Sequence, residues 1–534
     1  MWKSNKQFIF MILFLFFFAL VSGERGKEKG AYKTTPDPES LQFRLGNGLG
    51  YINNKWDDAK LTKLAADAGC NGQRKKLPEN HFETWGYEIE VEDSKYCNTV
   101  GIFDLVGYLH TPTAAHSTNP SNTEKYPPKN LYEPIWNVEG KEVNPNNYWA
   151  LYIWKTVSIY KPYVKIWEVW NEPDYVGGNW KVVDSWATSP PKSSDLLSWN
   201  GSIFEYIRLL RITYEVVKAV DPTAWVATGG LGYPNFMDAI LRYSDEPNTG
   251  AITDEYPSYG GAYFDCNAYH QYPQYGVTDA ETGTKYDGKG SDSLAMKIVT
   301  LKKNFDIVMK KHGFDGNKYP KKISVCTETG VASESVKGVV GGDEVRRNFV
   351  LKMPLKALEY DVKQVHFFVI SDYDGDTAYS KMGDYYNLKD KTPETAVIKP
   401  STQARNSLHK FNIAKMEYNE KKTSEFRETL SKESSVNLTG IVLTNKFKKE
   451  SETEFYGTAY AVWQVCNDDE GVTPKAIKLS FPYEMKKMDW LGKIEEVGKS
   501  GTFEIGHTPL FFMNSKLLKI KVFVNILFCL LFLA

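Results

Sequence analysis

The chain has 534 residues, 42% of them hydrophobic and 25% charged, with a formal net charge of −1 at pH 7. This is globular composition, long enough for a large core and more than one domain. With no basic field or polybasic run, nucleic acid is excluded as the expected partner. The aromatic share of 14% suits a sugar-binding cleft and a large core alike.

In chain order, the first element reads as an export signal. Lys3 and Lys6 precede the apolar run "FIFMILFLFFFALVSG", and Val21 and Gly23 supply small residues at a cleavage site. Residues 1–23 are therefore a signal peptide, with a retained anchor helix as the alternative, and residues 24–40 an N-terminal segment.

From residue 41 to 415, short apolar runs alternate with helical patterns. "LGNGLGYI" (45–52), "FDLVGYLH" (103–110), "YVKIWEVWNE" (163–172), "AWVATGG" (224–230), "AYFDCNAYH" (262–270), "KISVCTE" (322–328) and "QVHFFVI" (364–370) have strand character. Residues 147–160, 203–220, 293–313 and 343–360 have the 3.6-residue apolar spacing of helices. Repeated β-then-α order implies a parallel sheet with helical crossovers. Around eight such units favour a closed (β/α)8 TIM barrel with long insertions. The alternative is a doubly wound open sheet, but no GxGxxG opens a helix after the first strand, so no dinucleotide cofactor is expected.

After residue 416 the pattern becomes β-rich, and residues 416–513 read as a β-sandwich accessory domain, with the charged run "KFKKESETE" (446–454) as a solvated hairpin tip. Residues 514–534 end in "KVFVNILFCLLFLA", too short for a spanning helix of about 20 residues. Small residues, a spacer and an apolar tail resemble a GPI-attachment signal, which implies membrane attachment through a lipid. A short membrane anchor or a buried last strand are the alternatives. Among six cysteines, Cys70 and Cys97 are the candidate disulfide. No CxxC pair offers a metal site. Asn200 and Asn437 lie in glycosylation sequons. The expected location is secreted or at the cell surface.

In a (β/α)8 barrel, chemistry sits at the C-terminal strand ends. "KIWEVWNEPD" ends in Asn171 and Glu172, "KISVCTETG" in Glu328, and "AYFDCNAYHQY" in His270 and Tyr272. Two glutamates on different strand ends fit glycoside hydrolysis, where one carboxyl protonates the leaving oxygen and the other attacks the anomeric carbon or activates water. Glu168, inside its strand, reads as an ion-pair partner in the barrel interior. Glu334 lies beyond its strand. His110 follows the third strand as a candidate sugar contact, and His116 reads as a loop residue. Trp170, Tyr175 and Trp180 are candidates to stack on sugar rings, with core packing an equal reading for Trp170.

"WEVWNEPD" resembles the Asn-Glu-Pro motif of clan A glycoside hydrolases, most like glycoside hydrolase family 39, and the resemblance covers residues 41–415. The β-domain is similar to the accessory domain beside such barrels. The resemblance implies that Glu172 is the acid/base, Glu328 the nucleophile of a retaining reaction, and Asn171 a ligand of the sugar 2-hydroxyl. It further implies that Tyr272 bonds the nucleophile and that Arg74, where the second strand should end, is a second donor to it. The clan's tryptophan near the end of strand eight is absent, "HFFVISDYDGD" offering Phe and Tyr instead. The implied activity is a β-xylosidase-like retaining O-glycosidase on a β-linked carbohydrate. An endo-acting glycanase is the alternative within enzymes, and a non-catalytic carbohydrate-binding or adhesion protein the alternative outside them.

Overall fold

The computed structural model describes residues 35–50, 56–137, 139–433, 436–445, 457–469 and 471–514. The signal peptide, the hairpin tip at 446–454, Cys529 and all of the C-terminal tail beyond Asn514 lie outside the described residues. Among those described, no helix is long and apolar enough to cross a membrane.

Eight parallel strands form the larger sheet: β1 (Arg44–Asn47), β2 (Arg74–Lys76), β3 (Leu105–Leu109), β4 (Val164–Val169), β5 (Trp225–Ala227), β6 (Cys266–His270), β7 (Ile323–Thr329) and β8 (Val362–Phe367). They pair in the order β1-β8-β7-β6-β5-β4-β3-β2. A parallel bridge between Gly48 and Arg74 joins β1 to β2 and closes the barrel, which rules out the open-sheet alternative.

Alternate residues of each strand point inward. Val106, Ile166, Trp225, Ala227, Cys266, Ala268, Ile323 and Val325 fill the interior with Leu41, which precedes β1. Nearer the C-terminal rim the inward residues become polar, with Arg74, Glu168, Thr327 and His366 all buried. Gly46 makes room there: a Cβ at this position would lie 2.4 Å from His366 Nδ1.

Helices form the outer ring. Ile203–Val220 shows why the sequence folds this way. Ser202 and Glu205 make a reciprocal capping box, and Ile203, Ile207, Leu210, Tyr214 and Val217 bury one face. The helix ends at Asp221, ahead of Pro222.

The second domain is a six-stranded antiparallel sheet of β9 (Met416–Tyr418), β10 (Leu438–Asn445), β11 (Thr458–Gln464), β12 (Lys475–Met488), β13 (Ile494–Ile505) and β14 (Leu510–Asn514). Their order is β9-β10-β11-β14-β12-β13. Register breaks between Ser480 and Met485, where Pro482 stands, mark a bulge of the kind that bends a strand. Ile477, Leu479, Phe503 and Ile505 thereby share one core with Val442, Tyr460 and Val462, the β-sandwich expected. The opposite face, with Trp463, Phe511 and Met513, joins the barrel core. Polar ties reinforce this seam: Asp469 accepts from Ser291 Oγ at 2.7 Å and from Asn348 Nδ2 at 2.8 Å.

Two expectations are corrected. A helix, Glu420–Glu433, stands inside the segment read as a β-rich sandwich, where no helix was anticipated. Its composition hides it, because only Thr423, Phe426 and Leu430 turn inward, an i, i+3, i+7 stripe too thin to read against glutamates and lysines. The Cys70–Cys97 disulfide is not formed, and all five described cysteines are free. The two thiols occupy separate environments. Cys97 Sγ donates to Gln73 Oε1 at 3.5 Å, whereas Cys70 is buried near the Arg405–Asp384 ion pair and pushed up to about 12 by that burial.

Candidate active site

The rim of the barrel collects its polar groups around β4. Beyond Val169 the chain turns sharply: Trp170 and Glu172 adopt φ of +73° and +48°, a left-handed conformation that side chains other than glycine adopt at a cost. Neighbouring strand ends hold the turn in place. Trp170 N–H donates to Leu109 O at 2.9 Å, and Glu172 N–H to Gly229 O at 2.6 Å. Trp170 is fully buried, its indole N–H donating to Ser198 O at 2.8 Å, so it packs beneath the site rather than lining it. Asp174, two residues past Glu172, accepts the backbone N–H groups of Gly232 and Tyr233 at 2.8 Å each. It ties the β4 turn to the loop after β5. Burial pushes this carboxyl up to about 7.

Arg74 organises the floor of the site. Its guanidinium donates to Glu168 (Nε–Oε2, 2.6 Å), Glu328 (Nη1–Oε1, 2.5 Å) and Asn171 (Nη2–Oδ1, 2.7 Å). It lies 4.2 Å from the centre of the Tyr108 ring. Glu168 is the interior ion-pair partner the sequence suggested, fully buried and accepting also from Thr327 Oγ1 at 2.9 Å. Tyr272 donates its phenolic proton to Glu328 Oε2 at 2.6 Å. His270 joins the two glutamates, with Nδ1 2.8 Å from Glu172 Oε1 and 3.8 Å from Glu328 Oε2. Its Nε2 lies 3.1 Å from Thr327 Oγ1. Gly230, at φ +63°, leaves space for the imidazole, since a Cβ there would meet His270 Nε2 at 2.3 Å.

These contacts give the two glutamates opposite surroundings. Burial pushes the Glu328 carboxyl up, but the charges of His270 and Arg74 and the hydrogen bonds from Tyr272 and Arg74 outweigh it and hold it below the ordinary carboxylate value. Burial, with Glu328 alongside, pushes the Tyr272 phenol well above its usual range, so it remains a donor. Burial pushes His270 down, yet the charge of Glu328 and the hydrogen bond to Glu172 raise it overall. Glu172 has His270 as its side-chain partner and is 30% exposed, against 18% for Glu328. One ligating atom from each of Glu172, His270 and Glu328 lies within 4.8 Å of the other two. That spacing could bracket a cation, but the donor set does not suit one: Arg74 already sets a fixed positive charge on Glu328, and His270 has a raised proton affinity.

Of the residues singled out in the sequence, Glu172, Glu328, Asn171, His270, Tyr272 and Arg74 form one hydrogen-bonded cluster. His110 stays outside it. It is buried, packs its ring against Trp170 at 4.4 Å and bonds Thr111 Oγ1 at 2.6 Å, and burial keeps it neutral by pushing it well below its usual range. His116 buttresses a loop, 2.7 Å from Glu79 and stacked on Tyr148 at 4.1 Å. Glu334 pairs with Lys381 at 3.3 Å, out of the cluster. Tyr108, Thr327 and Asp174 were not anticipated. Thr327 shares inward parity with Ile323 and Val325 on β7, so strand alternation alone could have found it.

No protein-family model matches the chain, and no curated protein matches it in sequence. Its likeness is to solved structures. One is a family 39 glycoside hydrolase from the gut symbiont Bacteroides cellulosilyticus WH2, with a TM-score of 0.54 at 14% identity over 90% of this chain and 82% of that one. Another is the catalytic domain of GH30 xylanase C from Talaromyces cellulolyticus, with a TM-score of 0.50 at 11% identity over 90% and 98% of the two chains. At such identities the likeness is one of fold, and this chain has the fold of those structures: a (β/α)8 barrel carrying a β-sandwich domain.

Proposed function

We propose that the protein is a retaining O-glycosidase of clan A, with Glu172 as acid/base and Glu328 as nucleophile. The observation that carries this reading is the approach of the two carboxylates, with one oxygen of each within 4.8 Å. Retaining enzymes hold their carboxyl groups about 5–5.5 Å apart, while inverting ones need about 6.5–9.5 Å to seat a water. The asymmetry of surroundings supports the division of roles. Glu328, held ionised by Arg74 and Tyr272, is suited to attack the anomeric carbon. As that bond forms, the glycosidic C–O bond breaks and Glu172 passes its proton to the leaving oxygen. Glu172 then takes a proton from an entering water, whose oxygen attacks the same carbon and releases Glu328. Asn171, fixed by Arg74 at 2.7 Å, is placed to bond the 2-hydroxyl.

The substrate class in this reading is a β-linked oligo- or polysaccharide, with β-xylosidase-like action, in keeping with the family-39 resemblance and with a xylanase among the similar folds. Export and a lipid anchor belong to the same reading and rest on the sequence of residues 1–23 and 514–534. The test is hydrolysis of a panel of aryl β-glycosides by the wild type, Glu172→Ala and Glu328→Ala. Azide is expected to restore Glu172→Ala with retained configuration and Glu328→Ala with inverted configuration. Undiminished hydrolysis by either variant would overturn the assignment.

A further inference from the structure

An aromatic file leads away from the catalytic pair, and beyond its first ring the acid–nucleophile chemistry does not use it. It starts at Tyr272, the hydrogen-bond partner of Glu328, whose ring meets Tyr379 edge-on at 4.8 Å. The Tyr379 hydroxyl lies 3.2 Å from that of Tyr275. The Tyr275 ring is 6.0 Å from Trp180, and Trp180 is 6.0 Å from Tyr233. At the outer end Trp180 is 51% exposed and Tyr275 45%. Large aromatic faces open to water cost free energy, and here they come from two separate loops, those after β4 and β6, with the half-buried Tyr233 from the loop after β5 packed beside them.

The side of the site is set by topology. Glu172 on β4 and Glu328 on β7 divide the rim into two arcs. Arg74 on β2 and the Asn171 amide it holds lie toward the arc of β8, β1, β2 and β3, and they fix the sugar that is attacked. Trp180, Tyr233 and Tyr275 lie on the other arc, between the acid and the nucleophile by way of β5 and β6. A glycosidic bond cleaved between the glutamates puts its leaving group over that second arc.

We propose that Trp180 and Tyr275 form a stacking platform for a pyranose on the leaving-group side of the scissile bond, so that the enzyme takes an oligosaccharide chain rather than a short glycoside. The inference rests on the glycosidase reading above. Pyranose rings present an apolar C–H face that packs on aromatic rings as other apolar surface does, and binding energy gathered there, remote from the reacting carbon, can be used in the transition state.

The test compares two substrates of the sugar the enzyme accepts: the glycosyl fluoride, which has no sugar in its leaving group, and the tetrasaccharide. In Trp180→Ala and Tyr275→Ala the ratio of kcat/KM on tetrasaccharide to that on fluoride is expected to fall about tenfold, roughly one stacked ring. Trp180→Phe should keep most of the ratio. An unchanged ratio in both alanine variants, with hydrolysis intact, overturns the platform and leaves the catalytic reading standing. In parallel, the Glu172→Gln chain is titrated by calorimetry with xylo-, cello-, laminari- and mannotetraose, with and without Trp180→Ala. Tetrasaccharide binding that weakens with Trp180→Ala in a protein that hydrolyses nothing would support the platform and overturn the glycosidase reading. Neither hydrolysis nor binding would overturn both.

Discussion

Arg74 is the residue on which stability and chemistry can be separated. Its guanidinium is the cation bonded to Glu168, which is fully buried, and it also holds Glu328 and Asn171. Arg74→Met would leave the Glu168 carboxylate buried with Thr327 Oγ1 as its remaining hydrogen-bond donor. Removing one partner of a buried ion pair costs about 3–5 kcal/mol, and the contact of 2.6 Å at zero exposure puts this pair toward the upper end of that range. Neutralising the stranded partner should reverse much of the loss. Arg74→Met combined with Glu168→Gln is expected to recover at least about 2 kcal/mol of it, since removing both charges of a buried pair is often near neutral. Activity should not recover, because Asn171 and Glu328 still lack the guanidinium, Glu328 keeping only the Tyr272 hydroxyl as a donor. Urea unfolding followed by tryptophan fluorescence, run beside kcat/KM on an aryl glycoside, reads both. Additive losses in the double variant, or wild-type stability in Arg74→Met, would refute the view that Arg74 is the shared counter-charge.

Two further outcomes follow from the same contacts. Tyr272→Phe removes the 2.6 Å donor to Glu328; a hydrogen bond to a charged group is worth about 1.5–3 kcal/mol, so kcat/KM should fall about 10- to 100-fold. The acidic limb of the pH–kcat/KM profile should move to higher pH, because the bond that helps hold Glu328 below its ordinary value is gone. Asp174→Asn tests the buried carboxyl that follows Glu172. With the native group pushed by burial from the ordinary 3.8 up to about 7, the folded chain holds a proton that the unfolded chain releases between those values. Stability therefore falls as pH rises through that window, by roughly 4 kcal/mol at 1.36 kcal/mol per pH unit. Asparagine can still accept from Gly232 and Tyr233, and its unfolding free energy should lose that slope between pH 4 and 7. An unchanged slope would place the titration elsewhere.

How far the fold was legible depended on where the charges sit. β4 is visible because an apolar run ends abruptly in Asn171, Glu172 and Pro173. The helix Ile203–Val220 is visible from cap to stop because its stripe is wide and its capping box complete. β2 is the opposite case. It is the three residues Arg74–Lys76, and a central barrel strand made of three cations reads as loop. The structure explains the exception: Arg74 turns inward to the site, while the buried Lys75 turns outward to half-buried carboxylates, Glu90 at 2.8 Å and Asp93. Both charges are buried because each is paired, and local sequence cannot show partners on other elements. The disulfide failed for a related reason. Spacing says nothing of surroundings, and here Cys97 faces Gln73 and Thr62 across a helix interface. In the site, single residues at strand ends were readable, whereas Asp174 was not, because its role lies in backbone groups contributed by the β5 loop.

The remaining question in the proposed cycle is how one cluster manages its protons. Glu168 and Glu328 share one fixed cation, Arg74, and His270 lies between Glu172 and Glu328 with a raised affinity for a proton. Burial opposes that proton, and the charge of Glu328 is the largest influence in its favour. Bond formation between Glu328 and the anomeric carbon cancels that charge. At the glycosyl-enzyme stage the strongest support for a protonated His270 is thus removed at the moment Glu172 has given up its own proton and must act as base. The imidazole, 2.8 Å from Glu172 Oε1, is then tied chiefly to Glu172, and the cluster resets when water releases Glu328. The electrostatics that favour an ionised Glu328 before attack therefore couple the state of His270 to both glutamates, since the charge of Glu328 and the hydrogen bond to Glu172 both raise its proton affinity. Two glutamates on strand ends would not achieve this without the histidine between them and the arginine beneath.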